Sequence, residues 1–525
     1  MKPWNLKGFF AMGATLLIVS CARVPVSLQY ETVTDPTARA ALQTCSLFFA
    51  DLDRLVTRRK VRDSQAASIP MFPYLRVDRF LESFGKGIST DTAFTAWVDR
   101  LQHLAEQGHQ VELANLPVDE LSALQRSLHD GIATGQSLMD IVRECGHRLR
   151  HHDLADADTR QRLRKAAQVP PEYVSWQRAV GLYEITANFA NAAISKWHKE
   201  THRVYAQPVD TLPIDGELVR YVPPFEAEPL GAEAIREIIK RSARNPLGIP
   251  EPKGEDRNRL FAAFAPVWQI DVASNNDRIG APGWSNIDDE KPLVDTQQPT
   301  VYRHISHTRF EDEILLQLNY VVWFPSRPRT SSFDYLGGHI DGIMWRVTLS
   351  RDGTPLIFDS SHNCGCFHMF FPSRGLQLRP LPNTPEDGLQ EPALVPQQAP
   401  DLRPGAGPTL RIAHRTHYIE RVTPDPLDQG RTVRYRWADY DSLRSLPVAG
   451  GGRRSLFRPD GIVPGTKRGE RWFFWPLGVP HPGEMRQWGH HATAFVGRRH
   501  FDEPYLLERT FIIDPSKAAP SAFSQ

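Results

Sequence analysis

The stretch "DSSHNCGCFHMFF", from Asp359 to Phe371, sets His362, Cys364, Cys366 and His368 at alternate positions. Thiols and imidazoles at that spacing are the raw material of a metal site, a disulfide or a nucleophilic centre. They are equally the side chains of an ordinary buried strand. What decides between these readings is the chain lying opposite. The preceding segment, "GGHIDGIMWRVTL", is joined to it by "SRDGT". An Asp-Gly pair between apolar runs is a strong hairpin signal, because a type I′ turn needs positive φ at both central positions. With Asp352 and Gly353 as the loop, Leu349 faces Leu356, Val347 faces Phe358 and Arg346 faces Asp359, where opposite charges meet. Continued outward, Ile343 faces His362, Asp341 faces Cys364 and His339 faces Cys366.

Period-2 alternation then puts His339, Asp341, His362, Cys364 and Cys366 at the polar end of one apolar face. Two thiolates, imidazoles and a carboxylate suit zinc, and His339-x-Asp341 with another histidine matches the facial triad of non-haem iron. The alternatives are a Cys364–Cys366 disulfide or redox pair, for which a turn at Gly365 is needed, and a cysteine nucleophile with His339, His362, His368 or His417 as base. A purely structural role for all of them is the remaining reading. Gly337, Gly338, Gly342 and Gly365 flank the cluster and permit bulges that would break the register.

The other histidines are weaker candidates. His414 and His417, three apart in "RIAHRTHYIERV", fall on opposite faces of a strand, which disfavours joint ligation. His490 and His491 are adjacent, so at most one serves a site. His304 and His307 read as part of a solvated loop. No GxSxG, HExxH, phosphate-loop, EF-hand or zinc-knuckle motif is present in the sequence.

The elements that must position these residues come in two bodies. Residues 36–205 show helical periodicity and form a predicted all-helical domain. Its clearest stripe is Tyr173, Trp176, Val180, Tyr183, Ala187, Ala190, Ile194 and Trp197, which reads as core. Residues 206–259 are interrupted by prolines and read as a connector on a domain surface, with one helix at "GAEAIREIIKRSA". Residues 260–525 read as a β-rich sandwich or barrel-like domain, with "EILLQLNYVVWF", "GIMWRVTL", "TPLIFD", "TLRIAHRTHYIERV", "TVRYRWADY", "GERWFFWPLG" and "LLERTFII" as strands. The aromatics of "RWFFWPLG" could stack on sugar rings but read as core. A proline-rich stretch at about 379–408 reads as a disordered excursion. The fold class is α+β.

At the N-terminus, Lys2 and Lys7 precede the apolar run "GFFAMGATLLIV", which ends in Ile18-Val19-Ser20-Cys21. The run is too short to span a bilayer and suits a secretory signal. The four-residue ending resembles the lipobox of bacterial lipoproteins. The resemblance covers residues 1–21 only. It implies removal of residues 1–20, acylation of Cys21, and a tether over residues 21–35. Ala22 rather than aspartate after the cysteine points to the outer membrane, with the body facing the periplasm or the cell surface. Loss of Lys2 and Lys7 turns the formal charge from +1 to −1, a balance that gives no reason to expect nucleic acid. An oxidising envelope invites pairing of the remaining thiols, and Cys45 with Cys145, both in the helical part, is the most natural pair. The sequence thus describes a lipid-anchored envelope protein with a metal or thiol site in its β-domain and a possible envelope-protein or peptidoglycan partner. The alternative is a non-enzymatic envelope scaffold with structural disulfides.

Overall fold

The computed structural model describes residues 30–126, 136–224, 230–380, 390–403, 406–424 and 429–514. Cys21 and the segment expected to be a secretory signal lie outside the described residues.

Helix α1 (Pro36–Arg59) starts where Asp35 accepts the Thr37 amide and Pro36 opens the first turn. It buries Cys45, Phe48, Phe49, Leu52 and Val56, a three-four spacing that makes one apolar face. Strands β1 (Ala67–Ile69) and β2 (Phe72–Val77) form a hairpin. After them come α2 (Arg79–Glu82), α3 (Asp91–Ala114), α4 (Val118–Arg126), α5 (Leu138–Asp153) and α6 (Ala157–Ala166). The predicted all-helical region therefore contains one hairpin, whose Arg76 is buried against Glu112 of α3 at 2.6 Å. The Cys45–Cys145 disulfide ties α1 to α5 across the shared core, as the sequence led us to expect. Helices α7 (Ser175–Val180) and α8 (Tyr183–Tyr205) lead on towards the β-rich region.

The proline-interrupted segment does more than connect. Strand β3 (Glu217–Val222) lies between β4 (Val267–Val272) and β15 (Arg431–Arg434), with Val219 and Tyr221 buried. Helix α9 (Ala232–Ser242) falls where the sequence placed it, followed by α10 (Gly254–Ala263). One sheet has the order β14-β13-β4-β3-β15, with β13 (Thr409–Ile412) and β14 (Ile419–Thr423). The other has the order β11-β10-β9-β8-β7-β16, built from β7 (Thr300–Phe310), β8 (Glu313–Arg327), β9 (Gly338–Leu349), β10 (Pro355–His362), β11 (Met369–Pro372) and β16 (Arg436–Asp439). Trp268, Ile270, Tyr320, Trp345, Ile238 and Phe261 meet in one core, so both sheets and helices α9 and α10 pack together. Short pairs complete the β-body: β5 (Ala281–Gly283) with β6 (Leu293–Asp295), β17 (Leu446–Pro447) with β18 (Arg453–Arg454), and β12 (Leu376–Leu378) with β19 (Phe511–Ile513). The architecture is α+β, with mixed rather than purely antiparallel sheets.

Two expected strands are helical. "RWFFWPLG" forms α11 (Arg471–Phe474) and a 3₁₀ turn at Trp475–Leu477, and "LLERT" forms α12 (Leu506–Thr510) ahead of β19. Aromatic β-propensity misleads here because Pro476 supplies no ladder donor. The proline-rich excursion is anchored in its described part. Leu394 is buried and its carbonyl accepts the Phe370 amide at 2.8 Å, while the Ala399 amide donates to Pro372. It covers the β11 edge of the six-stranded sheet, a service that a chain poor in N–H donors can perform through its carbonyls.

Candidate functional site

The β9–β10 ladder has the predicted pairs over most of its length: Val347 with Phe358, Arg346 with Asp359, Trp345 with Ser360 and Ile343 with His362. Arg346 grips the buried Asp359 through both oxygens at 2.8 and 2.5 Å, and His368 adds a third contact at 2.9 Å. The register departs near the loop, where Leu349 pairs with Pro355 and a bulge precedes Ile357. Only Gly353 there has positive φ (85°), so the turn is not type I′.

The predicted ladder stops at His362. Asn363 to Cys366 turn back, with Gly365 at φ 92° and its N–H donating to the His362 carbonyl at 2.7 Å. A side chain at Gly365 would run into the Ala492 carbonyl, so glycine is required on both counts. Asp341 consequently does not face Cys364; it pairs with Phe324 of β8. On β9, left-handed Ile340 (φ 50°) interrupts the alternation, and His339 Nε2 lies 2.6 Å from the Pro292 carbonyl. The five predicted ligands thus separate. His362 Nδ1 sits 3.6 Å from Asp341 Oδ1, Cys364 and Cys366 touch each other in the turn, and His339 is engaged elsewhere. Both of these cysteines are free thiols.

Asp341 instead belongs to a buried acid–base cluster. His417 Nδ1 meets its carboxylate at 2.7 Å, and Arg468 approaches at 3.6 Å. The opposite nitrogen of His417 lies 3.6 Å from Asp277, and its ring stacks on Phe324 at 3.9 Å. Burial pushes the Asp341 carboxyl upward, but His362 and His417 outweigh it and hold the group well below the usual carboxylate range. Burial likewise opposes charge on His417, yet Asp277 and Asp341 together raise it above the ordinary imidazole value. For His362 burial prevails over the pull of Asp341 and lowers the imidazole below its ordinary value. Burial lifts the Glu470 carboxyl to about 7, against the pull of Arg468 and Arg327. The Cys366 thiol is pushed up first by its hydrogen bond with Cys364 and then by burial, which makes it a poor thiolate. Ile340, Phe367, Arg415 and His417 all have left-handed backbones around this cluster. Such strain persists where surrounding contacts over-determine the chain.

A second group lies across the same turn. The sequence read as one strand from Thr409 to Val422 is a hairpin, with β13 and β14 joined through 413–418. His417 points to Asp341, while His414 Nδ1 lies 3.3 Å from Asp215 and 3.4 Å from Asp271. The two histidines do serve different places. Among the described residues, Asp215, Asp271 and His414 form the one group of three or more His, Cys, Asp or Glu whose ligand atoms lie mutually within 4.8 Å; this group could hold a metal ion. Asp271, near the end of β4, is fixed by the amides of Asp215 and Gly216 at 2.8 and 2.9 Å. Burial raises the nearby Glu420 carboxyl, Arg411 lowers it, and the charge of Asp271 adds to the rise. Asp215 is exposed, which leaves the group one open side. Sequence reading missed this group because Asp215 lies in the segment taken as a connector. One signal was available: "VWQIDV" carries an acid at a position where its strand is buried.

A separate cleft of about 570 Å³ lies where α2, α3 and β7 meet, lined in part by Arg79, Arg100, His304, His307 and Trp488. His304 and His307 lie half-buried on β7 rather than in a solvated loop, and the loss of water around them lowers both to about 4, hence neutral. The cations around it are paired, as in Arg257–Asp439 at 2.8 Å and Arg444–Asp441 at 3.1 Å. His490 is paired with Glu172 at 2.8 Å, while its neighbour His491 is buried apart from it. Compared with known proteins, the chain matches no family model, no curated protein and no solved structure.

Proposed function

We propose that this chain is a lipid-anchored envelope protein whose β-body binds a divalent metal ion, zinc in preference to iron, through Asp215, Asp271 and His414. The observation that carries the reading is the convergence of these three ligand atoms within 4.8 Å on three separate segments of chain. The pre-β3 turn supplies Asp215, β4 supplies Asp271, and the β13–β14 turn supplies His414. One nitrogen and two carboxylates suit zinc, and three protein ligands with an open side are the pattern of sites that take water or a substrate atom in the fourth position. The amides on Asp271 fix the ligand's orientation, as supporting hydrogen bonds do around bound metals. A bound zinc ion supplies Lewis acidity and a water of lowered pKa. The Cys45–Cys145 disulfide supports an oxidising compartment, in line with the lipobox-like N-terminus.

The test is metal content by mass spectrometry on the detergent-extracted full chain, stripped with chelator and reloaded. One equivalent of zinc is expected, with at least a tenfold loss of affinity in His414→Ala and none in Cys364→Ser. Metal that survives His414→Ala but leaves with Cys364 would transfer the site to the thiol turn and end this reading. Absence of stoichiometric metal in the parent protein would do the same.

A further inference from the structure

The helix read from sequence as a core stripe is apolar on two sides. Ala187 and Ala190 face inward, with Ile194 and Tyr183 packed against Leu477 and Val496. The other side carries Leu182, Ile185 and Phe189, three and four apart, all exposed, with Phe189 at 74%. Trp176 and Val180 of α7 extend that surface. The second misread segment completes it. The 3₁₀ turn at Trp475–Leu477 is fastened to α7, since the Val174 amide donates to the Gly478 carbonyl at 2.7 Å and Arg178 Nε to the Leu477 carbonyl at 2.8 Å. Pro476 abuts Gly181 so closely that a side chain there would clash. The turn thus packs against α7 and α8, and α11 just before it exposes Trp472 (68%) and Phe473. Such a concentration of exposed aromatics is far from the scattered apolar residues of an ordinary surface.

We propose that this face lies on the phospholipid bilayer. Residue type favours lipid over protein: tryptophans with phenylalanine and short aliphatics make the amphipathic surface that settles at the headgroup boundary. The rim carries cations among its charges. The Arg471 guanidinium sits 4.9 Å from the Trp472 ring, and exposed Lys199 and Lys196, the latter 4.0 Å from Glu200, continue the α8 helix beyond Phe189. Those cations complement anionic headgroups. The inference also rests on the lipid-anchor reading. Only residues 22–29 separate Cys21 from Tyr30, where the described fold begins, so even a fully extended tether reaches about 30 Å. A body held that close meets the bilayer at high effective concentration, and a modest apolar face suffices to seat it.

The experiment uses the chain from Ala22 on, without acyl groups, since every contact described is made from Tyr30 onward. Its probes are vesicles of phosphatidylethanolamine and phosphatidylglycerol, with and without brominated acyl chains. The unacylated protein should float with the vesicles, and bromine should quench its tryptophan fluorescence. Phe189→Ser with Trp472→Ser should reduce partitioning at least tenfold at an unchanged melting temperature, and the charge-neutral pair Ile185→Gln with Trp176→Gln should do so independently. Failure of the parent protein to float or to be quenched overturns the proposal. So does a dimer in sedimentation that the same substitutions dissociate, since the face would then belong to a second copy. Intact mass of the full chain reports acylation of Cys21 separately: an unmodified cysteine ends the lipoprotein reading, while the vesicle result still decides the face.

Discussion

Replacing Glu470 with glutamine makes a sharp test of the buried cluster. Glu470 is 5% exposed, and burial raises its carboxyl from 4.5 to about 7. That rise is worth about 3.5 kcal/mol between the two protonation states, at about 1.4 kcal/mol per pH unit. The folded chain holds this proton more tightly than the unfolded chain, so the contribution is fully present below about pH 4.5 and is lost as pH rises towards about 7. Between pH 5 and pH 8.5 the wild-type protein should lose about 2.5 kcal/mol through this group, part of the loss having occurred already at pH 5. Glutamine is nearly isosteric and does not titrate. Urea unfolding followed by fluorescence at both pH values should therefore show Glu470→Gln gaining on the parent by about that amount at pH 8.5 relative to pH 5. Taking the difference between the two proteins cancels the other titrating groups. An offset equal at both pH values would mean that Arg468 and Arg327 neutralise the carboxylate fully, and the account of Glu470 would be wrong.

Three further outcomes follow from geometry already described. Replacing both Cys45 and Cys145 with alanine should destabilise the helical region by roughly 2–5 kcal/mol, because the bond closes a loop spanning 100 residues; non-reducing peptide mapping with urea unfolding checks it. Asp359→Asn should cost about 3–5 kcal/mol by stranding the buried Arg346 guanidinium, and Arg346→Met in the same chain should recover a large part of it, measured by a double-mutant cycle. Leu394→Ala should cost about 2–5 kcal/mol if the proline-rich cover is fixed to β11. A cost near zero in thermal unfolding would make that segment a loose passenger.

Sequence pattern and structure agree where side chains constrain one another locally. The Arg346–Asp359 pairing is legible because opposite charges sit across a ladder whose apolar alternation is unbroken. Legibility ends at Ile340 and Gly365, where left-handed backbones cancel the period-2 rule on both strands. From there inward, the partners of Asp341 come from distant chain, His417 and Arg468, which no local spacing reveals. Asp215 and Asp271 were hidden for the same reason: they meet only because β3 inserts beside β4. Trp176 and Val180, and the aromatics of 472–475, were misread as core for a different one. Apolar periodicity reports a face that avoids water and says nothing about whether protein or another phase receives it.

The nine residues from Arg431 to Asp439 give β15 to the edge of one sheet and β16 to the edge of the other, pairing in parallel with β3 at Val219 and with β7 at Thr300. Tyr435 sits buried between them, its hydroxyl 3.2 Å from the Pro266 carbonyl. Neither sheet can be closed before the ribosome has passed Asp439. A chain stopped short of that point carries two open edges, on β3 and on β7, each a template for pairing with another copy. Completion depends on contacts between residues very far apart in sequence, which slows folding and lengthens the exposure of those edges. Premature stop codons in the stretch before residue 431 should accordingly yield insoluble product.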